Sequence, residues 1–323
     1  MNSLLQTKPR SIFRYFTVSA LTALWAVCIS TVQAQTHATP LEGRWDLTVD
    51  MAGKPAPSWL EVIHSGNHTL VGRFVSVSGS ARPIAEVHFQ DGKFNFSIPP
   101  QWESGEGDFS VQGTVQGDQM NGTLTTPDGK THSWTGVRAP KLRRTATPTW
   151  GKPVKLTEGN TIKNWHASKA TNQWTMQNGI LKSEKSGANL ITDEKYDDFK
   201  LHVEFRIPKG SNSGVYLRGR YEVQVTDGKG LEPSFGELGG IYGFIAPSDM
   251  VAKEPGEWQS FDVTLIGRMI TLDVNGQRVI TNQEIPGITG GALDSNEGEP
   301  GPLYIQGDHG PVEYRNIVIT PAK

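Results

Sequence analysis

An all-β protein with two domains is predicted by a high glycine and proline content, closely spaced turn signals and few long helical periodicities. The 323 residues include 36 glycines and 20 prolines. Short segments of alternating polarity, separated by pairs such as Asp91-Gly92, are typical of hairpins. The pattern predicts a small antiparallel β-barrel or sandwich, followed by a jelly-roll β-sandwich.

The N-terminal residues have the pattern of a secretory signal peptide. Lys8, Arg10 and Arg14 precede an uncharged apolar run over residues 18–32, and Ala34 follows at a suitable cleavage position. We therefore predict a signal peptide over residues 1–34 and a periplasmic or secreted protein. A retained anchor is the alternative, but the run is shorter than the ~20 apolar residues that span a bilayer. We expect no stable membrane insertion after cleavage.

The cysteine count and the net charge exclude cysteine chemistry in the mature chain and argue against nucleic-acid binding. The only cysteine, Cys28, lies in the predicted signal, so the mature chain would have no disulfide and no thiol nucleophile. Removal of three cations with the signal takes the formal net charge from −2 to −5, which argues against nucleic acid as a partner.

Motifs for metals and cofactors are missing from the sequence, and we expect neither. There is no phosphate-binding Gly-Lys loop, no dinucleotide fingerprint and no metal-binding histidine pair in a helical pattern. Within the loop 286–302, the acidic residues 294–299 have oxygen ligands, but their spacing differs from that of a calcium-binding hand. We expect a solvated acidic loop there.

The N-terminal β-domain is predicted over residues 41–140 and a basic linker over residues 141–150. Eight strands are expected in the first domain: 44–49, 58–63, 69–76, 85–89, 93–98, 108–116, 119–125 and 131–137. The second domain, residues 151–323, has ten expected strands: 174–177, 180–183, 199–207, 214–218, 221–226, 258–266, 269–274, 277–280, 303–306 and 312–319.

Polar residues alternate with apolar ones in two strands of the second domain. In segment 200–207, alternation places Glu204 on the face that points away from the core. In segment 221–226, it places Glu222 and Gln224 on the corresponding face. If these strands are neighbours, the two carboxylates and Arg218 form one patch suited to acid–base work on hydroxylated ligands. The alternative is an ordinary solvated sheet face.

A glycine-bounded loop near the C-terminus carries a possible base. Gln306 is followed by Gly307, Asp308, His309 and Gly310, and histidine titrates near neutrality. An inert exposed histidine is the alternative. Several aromatic residues could stack on sugar rings or belong to the core, namely Trp165, Trp174, Tyr216, Tyr242 and Trp258.

Dispersed segments from about residue 154 to 319, taken together in their order along the chain, resemble the 3-keto-disaccharide hydrolase family, whose domain is a concanavalin A-like jelly roll. The segments that carry the resemblance are 174–183, 196–206, 212–218, 221–227, 239–243, 256–258, 304–310 and 314–317. The N-terminal domain lies outside this resemblance and looks like a lipocalin-like accessory barrel.

The resemblance implies an oxidised glycoside or disaccharide as substrate, with a ketone at carbon 3. The ketone acidifies the hydrogen on carbon 2, so a base can remove it and expel the group on carbon 1, after which water adds. On this hypothesis His309 is the base, Asp308 orients it, Arg218 stabilises the enolate, and Glu204 or Glu222 is the acid. The expected substrate contacts are Asn212, Gln224, Tyr242 and Gln306.

Three functions remain open from the sequence. The first is a hydrolase or lyase that acts on 3-keto-glycosides. The second is a non-catalytic carbohydrate-binding protein, because a fold does not determine its function. The third is a conventional glycosidase that uses Glu204 and Glu222, whose separation is a spatial quantity.

Overall fold

The computed structural model describes residues 39–323, and all regular elements in this part of the chain are β-strands. The predicted all-β class, with a barrel before a sandwich, is confirmed. The predicted signal peptide, residues 1–34, lies outside the described residues. No helix in the described part is long and apolar enough to cross a membrane.

Residues 43–138 form a closed antiparallel barrel, because the eighth strand pairs with the first. All eight predicted strands are present. They are β1 (Gly43–Asp50), β2 (Pro55–Ser65), β3 (Thr69–Val75), β4 (Arg82–Gln90), β5 (Lys93–Ile98), β6 (Phe109–Gln116), β7 (Gln119–Thr125) and β8 (Thr131–Arg138).

Alternating polarity explains how each barrel strand contributes to the core. In β5, Phe94, Phe96 and Ile98 are buried, whereas the residues between them are exposed. The preceding Asp91-Gly92 pair has positive φ at both residues, +51° and +76°. A two-residue turn of this kind matches the twist of the hairpin that it closes.

The remaining strands build a sandwich of two antiparallel sheets. They are β9 (Val154–Lys155), β10 (Trp165–Ala167), β11 (Thr175–Gln177), β12 (Ile180–Ser183), β13 (Leu190–Tyr196), β14 (Phe199–Arg206), β15 (Asn212–Leu217), β16 (Tyr221–Thr226), β17 (Gln259–Ile266), β18 (Met269–Val274), β19 (Gln277–Glu284), β20 (Gly301–Ile305) and β21 (Val312–Pro321).

The smaller sheet has the strand order β10-β13-β20-β15-β16. The larger sheet has the order β11-β12-β21-β14-β17-β18-β19, with β9 paired to β21. Buried side chains from both sheets, such as Phe205 and Phe261 of one and Val223 and Ile305 of the other, form a single apolar core between them. Each sheet therefore has one face on the core and one face that points away from it.

The sequence prediction missed three strands of the sandwich: β9, β10 and β13. β9 and β10 are only two and three residues long. In β13 the pairing register shifts between Ile191 and Lys195. Such a bulge interrupts the period of two on which strand prediction rests.

The barrel and the sandwich are in direct contact. Trp59 of β2 is fully buried and packs edge-on against Phe244 of the sandwich, with ring centroids 5.3 Å apart. Arg44 of β1 forms an ion pair with Glu284 of β19 at 2.5 Å. The predicted linker, residues 141–150, contains Arg144, whose guanidinium binds Asp198 at 2.8 Å. The predicted domain limits themselves stay a prediction.

A buried acidic cluster lies at the contact between barrel and sandwich. Glu297 is fully buried; it accepts hydrogen bonds from Arg268 Nε at 3.0 Å and from the Tyr221 hydroxyl at 2.7 Å. Asp46, on the outside of the barrel, is hydrogen-bonded to Glu297. The expectation of a solvated acidic loop over residues 294–299 is therefore wrong for Glu297, whose charge is neutralised inside the molecule.

Asp46 is expected to be protonated in the folded protein at neutral pH. Burial, and then the charge of Glu297, raise its pKa to about 10. The unfolded chain loses this proton near the ordinary value of 3.8. At pH values between these two pKa values, the folded state binds more protons than the unfolded state. The free energy of unfolding therefore decreases as the pH rises through this range.

We therefore expect Asp46→Asn to stabilise the protein increasingly as the pH rises from 5 to 9. The amide can donate to Glu297 as the protonated acid does, but no proton has to be taken up on folding. The measurement is the thermal midpoint across this range, with the exposed Asp118→Asn as control. A midpoint for Asp46→Asn that falls equally at pH 5 and pH 9 would contradict the protonation of Asp46.

Candidate active site

The outward face of the smaller sheet carries a set of buried polar side chains. In β16, Tyr221, Val223 and Val225 contact the core, so Glu222 and Gln224 point to the other face. Cross-strand pairing places Tyr216 opposite Glu222 and next to Tyr304. We call the buried residues of this face the polar floor; they are Tyr216, Glu222, Gln224, Tyr304 and Gln306.

Loops cover the polar floor and explain its burial. The Tyr216 hydroxyl donates to the Gly290 carbonyl at 3.0 Å. The backbone N–H of Glu222 donates to Thr289 Oγ1 at 3.0 Å, and the Glu222 carbonyl accepts from the Tyr242 N–H at 3.1 Å. The face is therefore sunk beneath segments 236–245 and 285–300 and is not an ordinary solvated sheet face.

A glycine on the neighbouring strand makes room for the Glu222 carboxyl group. Gly214 lies on the same face as Glu222, and a Cβ atom added there would collide with Glu222 Oε1. The side chain of Glu222 thus lies flat across the β15 backbone. Only glycine leaves this space, which explains its place inside a strand.

Glu222 has the electrostatic properties of a general acid. It is 3% exposed, and burial raises its pKa to about 8. A hydrogen bond with Tyr216 and the positive charge of His309 act in the opposite direction, whereas the charge of Asp308 adds to the rise. Glu222 is therefore mostly protonated at pH 7, as a proton donor must be.

Asp308 and His309 form a pair at the edge of the floor. His309 Nδ1 lies 2.7 Å from Asp308 Oδ1. This hydrogen bond raises the pKa of His309, which is half-exposed and close enough to Glu222 to interact electrostatically. Burial opposes ionisation of Asp308, but His309 and Asn189 hold its pKa below the usual value. An ionised carboxylate thus orients an imidazole whose Nε2 remains free.

Asn189 and two tyrosines connect this pair to the floor. The sequence had proposed Tyr216 as an aromatic residue for stacking, but Asn189 and Tyr304 were not predicted. Asn189 Nδ2 donates to the Tyr304 hydroxyl at 2.6 Å and approaches Asp308 Oδ2 at 3.3 Å. The Tyr304 and Tyr216 rings stack with centroids 4.3 Å apart. Alternation in β15 and β20 could have placed both tyrosines on the polar face, but Asn189 precedes the bulged β13 and had no such signal.

Two amide oxygens of the floor have no protein donor among residues 39–323. Gln224 Oε1 and Gln306 Oε1 are both buried and unpaired. A buried acceptor without a donor costs about 1–3 kcal/mol. Sugar hydroxyls are donors that would satisfy both atoms, which supports the predicted contacts at these two positions.

Asn212 and Tyr242 lie at two other sides of the floor. Asn212 begins β15 on the same face as Gly214, and the turn at Gly310 packs beside it. Tyr242 is half-buried next to Glu222, and burial raises its pKa. Both positions are compatible with substrate contact, and their roles stay predictions.

Glu204 does not belong to this site, so its predicted grouping with Glu222 is wrong. It lies on β14 of the larger sheet, whose neighbours are β17 and β21 rather than β15 or β16. Its carboxylate accepts from Arg315 at 2.6 Å and from Asn316 at 2.7 Å. Burial opposes its ionisation, but these bonds hold its pKa below the usual value, which makes it a poor proton donor.

The predicted placement of Arg218 in the patch is also wrong. Arg218 follows β15 in the turn to β16, with φ of +53°, and this conformation redirects its side chain. The guanidinium is buried, donates to the Gly267 carbonyl and pairs with Asp197 at 3.3 Å. The guanidinium therefore lies beside the turn between β17 and β18 and not on the polar floor.

Residues 39–323 contain no candidate metal centre. No group of three or more histidine, cysteine or acidic side chains in residues 39–323 has a geometry that could hold a metal ion. In the loop 286–302, Asp294 pairs with Arg220 at 2.7 Å and Glu297 pairs with Arg268 at 2.5 Å. Two carboxylates of this loop, those of Asp294 and Glu297, thus have arginine partners.

The sunken face of the sandwich presents carboxyl, amide and tyrosine groups, which can hydrogen-bond a ligand that carries several hydroxyls. Residues 152–320 match the family model described as the 3-keto-alpha-glucoside-1,2-lyase-like domain. Because the match covers more than half of the chain, the protein belongs to this family. The predicted family is thereby confirmed, and the description of the family supports a carbohydrate-active enzyme.

A curated relative carries a name from the same class. The chain is 28% identical over 97 residues to a 3-keto-disaccharide hydrolase of Bacteroides thetaiotaomicron. The alignment covers 25% of this chain and 33% of that protein. The chain thus matches about a third of the length of this relative.

Solved structures with a related fold come from Parabacteroides distasonis ATCC 8503. Two proteins described as candidate glycosyl hydrolases are each 24% identical to this chain, with TM-scores of 0.44 and 0.42. They cover 55% and 52% of this chain and 92% and 98% of their own. The fold itself is defined by the strand pairing within residues 39–323.

Proposed function

We propose that this protein cleaves the glycosidic bond of 3-keto-glycosides by deprotonation at carbon 2, elimination and hydration. The observation that carries the proposal is the presence, in one site, of a buried carboxyl group whose pKa is raised and an imidazole that a carboxylate orients. Glu222 has a pKa raised to about 8, and Asp308 holds His309 at 2.7 Å. Family membership and the name of the curated relative support the substrate class.

His309 is the base of the first step. With Nδ1–H donating to Asp308, the free Nε2 accepts the proton from carbon 2 of the sugar. The electron pair of the broken C–H bond forms a double bond between carbons 2 and 3, and negative charge develops on the oxygen at carbon 3. When the carbonyl group re-forms in the next step, this pair moves between carbons 1 and 2 and expels the group on carbon 1. His309 becomes an imidazolium, which Asp308 stabilises.

Tyr304 takes the role of enolate stabiliser that the sequence had given to Arg218. Its hydroxyl accepts a hydrogen bond from Asn189 at 2.6 Å, which leaves the phenolic proton free for another acceptor. A donor that is positioned before the reaction stabilises a developing oxyanion without a reorganisation cost. Stacking on Tyr216 fixes the Tyr304 ring in place.

Glu222 is the acid of the elimination step. It gives its proton to the glycosidic oxygen as the bond from carbon 1 to that oxygen breaks, which releases an alcohol and a sugar with a double bond between carbons 1 and 2. In the hydration step, Glu222 removes a proton from water while the oxygen of this water attacks carbon 1. His309 returns its proton to carbon 2, so the net reaction is hydrolysis and both groups are restored.

The test compares a disaccharide with its 3-keto form in deuterium oxide, using the purified protein. Cleavage of the keto form alone, with deuterium at carbon 2 of the product, is the expected result, because the base exchanges its proton with solvent. Cleavage with hydrogen retained at carbon 2 would indicate direct displacement. Binding of either sugar without cleavage would indicate a carbohydrate-binding protein, and both outcomes would overturn the proposal.

Gly214→Ala is expected to reduce kcat/KM on a 3-keto-disaccharide by at least about tenfold, because the new Cβ would displace the Glu222 carboxyl group. The matched control is Gly236→Ala, where only Ser234 Oγ would come within reach, at 3.8 Å. Circular dichroism tests whether both variants keep the native fold. Equal activity of folded Gly214→Ala and the control would contradict the proposed position of Glu222.

A further inference from the structure

An exposed tryptophan stands on the barrel next to the candidate site. Trp102 lies between β5 and β6 and is 72% exposed, the largest value among the exposed large apolar side chains of residues 39–323. A tryptophan side chain is usually far more buried than this. No predicted or proposed step of the reaction uses this residue.

Hydrogen bonds fix the loop that presents Trp102. The backbone N–H groups of Gln101 and Trp102 donate to Glu103 Oε2 at 2.7 and 3.1 Å. Glu103 in turn pairs with the buried Arg82 at 3.2 Å, and Arg82 also donates to the Pro99 carbonyl at 2.9 Å. The indole is thus exposed on an ordered support, so little conformational freedom would be lost on binding a ligand.

Two close backbone approaches connect this loop with the polar floor. A Cβ atom at Gly79 would lie 3.3 Å from Trp102 Cδ1, and one at Gly290 would collide with the Gly79 carbonyl. The Gly290 carbonyl is the acceptor of the Tyr216 hydroxyl. The barrel segment at Gly79 therefore lies between Trp102 and the loop over Tyr216.

A third contact occurs on the side of Glu222. A Cβ atom at Gly243 would come within 2.6 Å of Ala81 N, so the barrel also packs against the residue after Tyr242. The Trp102 side chain lies close enough to the Tyr242 hydroxyl to oppose the rise in the pKa of Tyr242. Trp102 and Tyr242 thus adjoin the acid side of the site.

We propose that Trp102 of the barrel is a stacking platform for the leaving group of the substrate, with a pyranose ring as its ligand. The inference rests on the proposed function. Glu222 protonates the oxygen of the leaving group, so this group must extend on the side of Glu222. Tyr242 and Trp102 lie on that side, whereas the Asp308–His309 pair approaches the keto sugar from β20.

The chemistry of an indole fits the apolar face of a sugar ring. Tryptophan offers a large rigid surface together with an N–H donor, which suits a ligand with C–H groups on its face and hydroxyls at its edge. The barrel would thus determine which glycosides are cleaved, while the sandwich carries the reaction.

The experiment measures kcat/KM of Trp102→Ala for a 3-keto-disaccharide and for the methyl 3-keto-glucoside. Loss of one aromatic contact predicts a decrease of about tenfold for the disaccharide. The methyl glycoside has no second ring, so we expect it to change less than about twofold. Trp102→Phe retains an aromatic face and is expected to restore most of the activity on the disaccharide.

Val137→Ala, another exposed apolar residue of the barrel, is the control and should leave both substrates unaffected. Equal loss on both substrates, or no loss on the disaccharide, would overturn the role of Trp102. If the wild-type protein cleaves neither keto substrate, the proposed function fails instead, and the two failures are therefore distinguishable.

Discussion

Glu222→Gln is expected to lower kcat on a 3-keto-disaccharide by about 10²–10⁴-fold, the usual contribution of a general acid. The substitution keeps the size of the side chain and removes only the transferable proton. A nitrophenyl 3-keto-glucoside has a leaving oxygen that needs little protonation, so the same variant should cleave it at nearly the wild-type rate. Initial rates on the two substrates measure this difference.

The dependence of the rate on pH is a second test of Glu222 as the general acid. Burial raises the pKa of Glu222 to about 8, so the acid is present below this pH and is lost above it. The wild-type rate on the disaccharide should therefore fall above about pH 8. This alkaline limb should be missing from the profile of Glu222→Gln.

Glu204→Gln is the matched control, because Glu204 is the other carboxylate that the sequence proposed as the acid. It lies on the larger sheet with Arg315 and Asn316, and we expect less than about a twofold change in rate. An equal loss in Glu204→Gln and Glu222→Gln, or an equal loss on both leaving groups, would contradict the assignment.

Local periodicity explains why the sequence predicted the barrel so fully. Each barrel strand has one face on a core of its own, so polarity alternates, and turn residues such as Gly92 separate the strands. The sandwich contains the short β10 and the bulged β13, where pairing with distant segments replaces the local pattern. Strands of this kind depend on tertiary contacts that a single sequence does not show.

The candidate site was predicted in part, for a similar reason. Alternation assigned Glu222 and Gln224 to the polar face, but it could not say which strands are neighbours. Glu204 obeys the same alternation on another sheet. The redirection of Arg218 depends on a turn with positive φ, and the position of Asn189 depends on the packing of β13 beside β20.

His309→Ala is expected to abolish exchange of the hydrogen on carbon 2 with solvent and to lower kcat by about 10²–10⁴-fold. The imidazole is the group that takes this proton, and Asp308 is its hydrogen-bond partner. Nuclear magnetic resonance in deuterium oxide follows the exchange, and product release gives kcat. His202→Ala is the matched control, because His202 forms an equivalent pair with Asp262 at 2.7 Å on the larger sheet.

Asp308→Asn tests the orientation of the His309 imidazole separately from its proton transfer. The hydrogen bond to Asp308, and then its charge, raise the pKa of His309 above the usual 6.5. Without the carboxylate this pKa falls, so the base is unprotonated at lower pH and the acidic limb of the rate profile should move to lower pH. The maximal rate should fall as well, because the imidazole is less firmly oriented. An unmoved acidic limb in Asp308→Asn, or wild-type exchange in His309→Ala, would show that another group removes the proton.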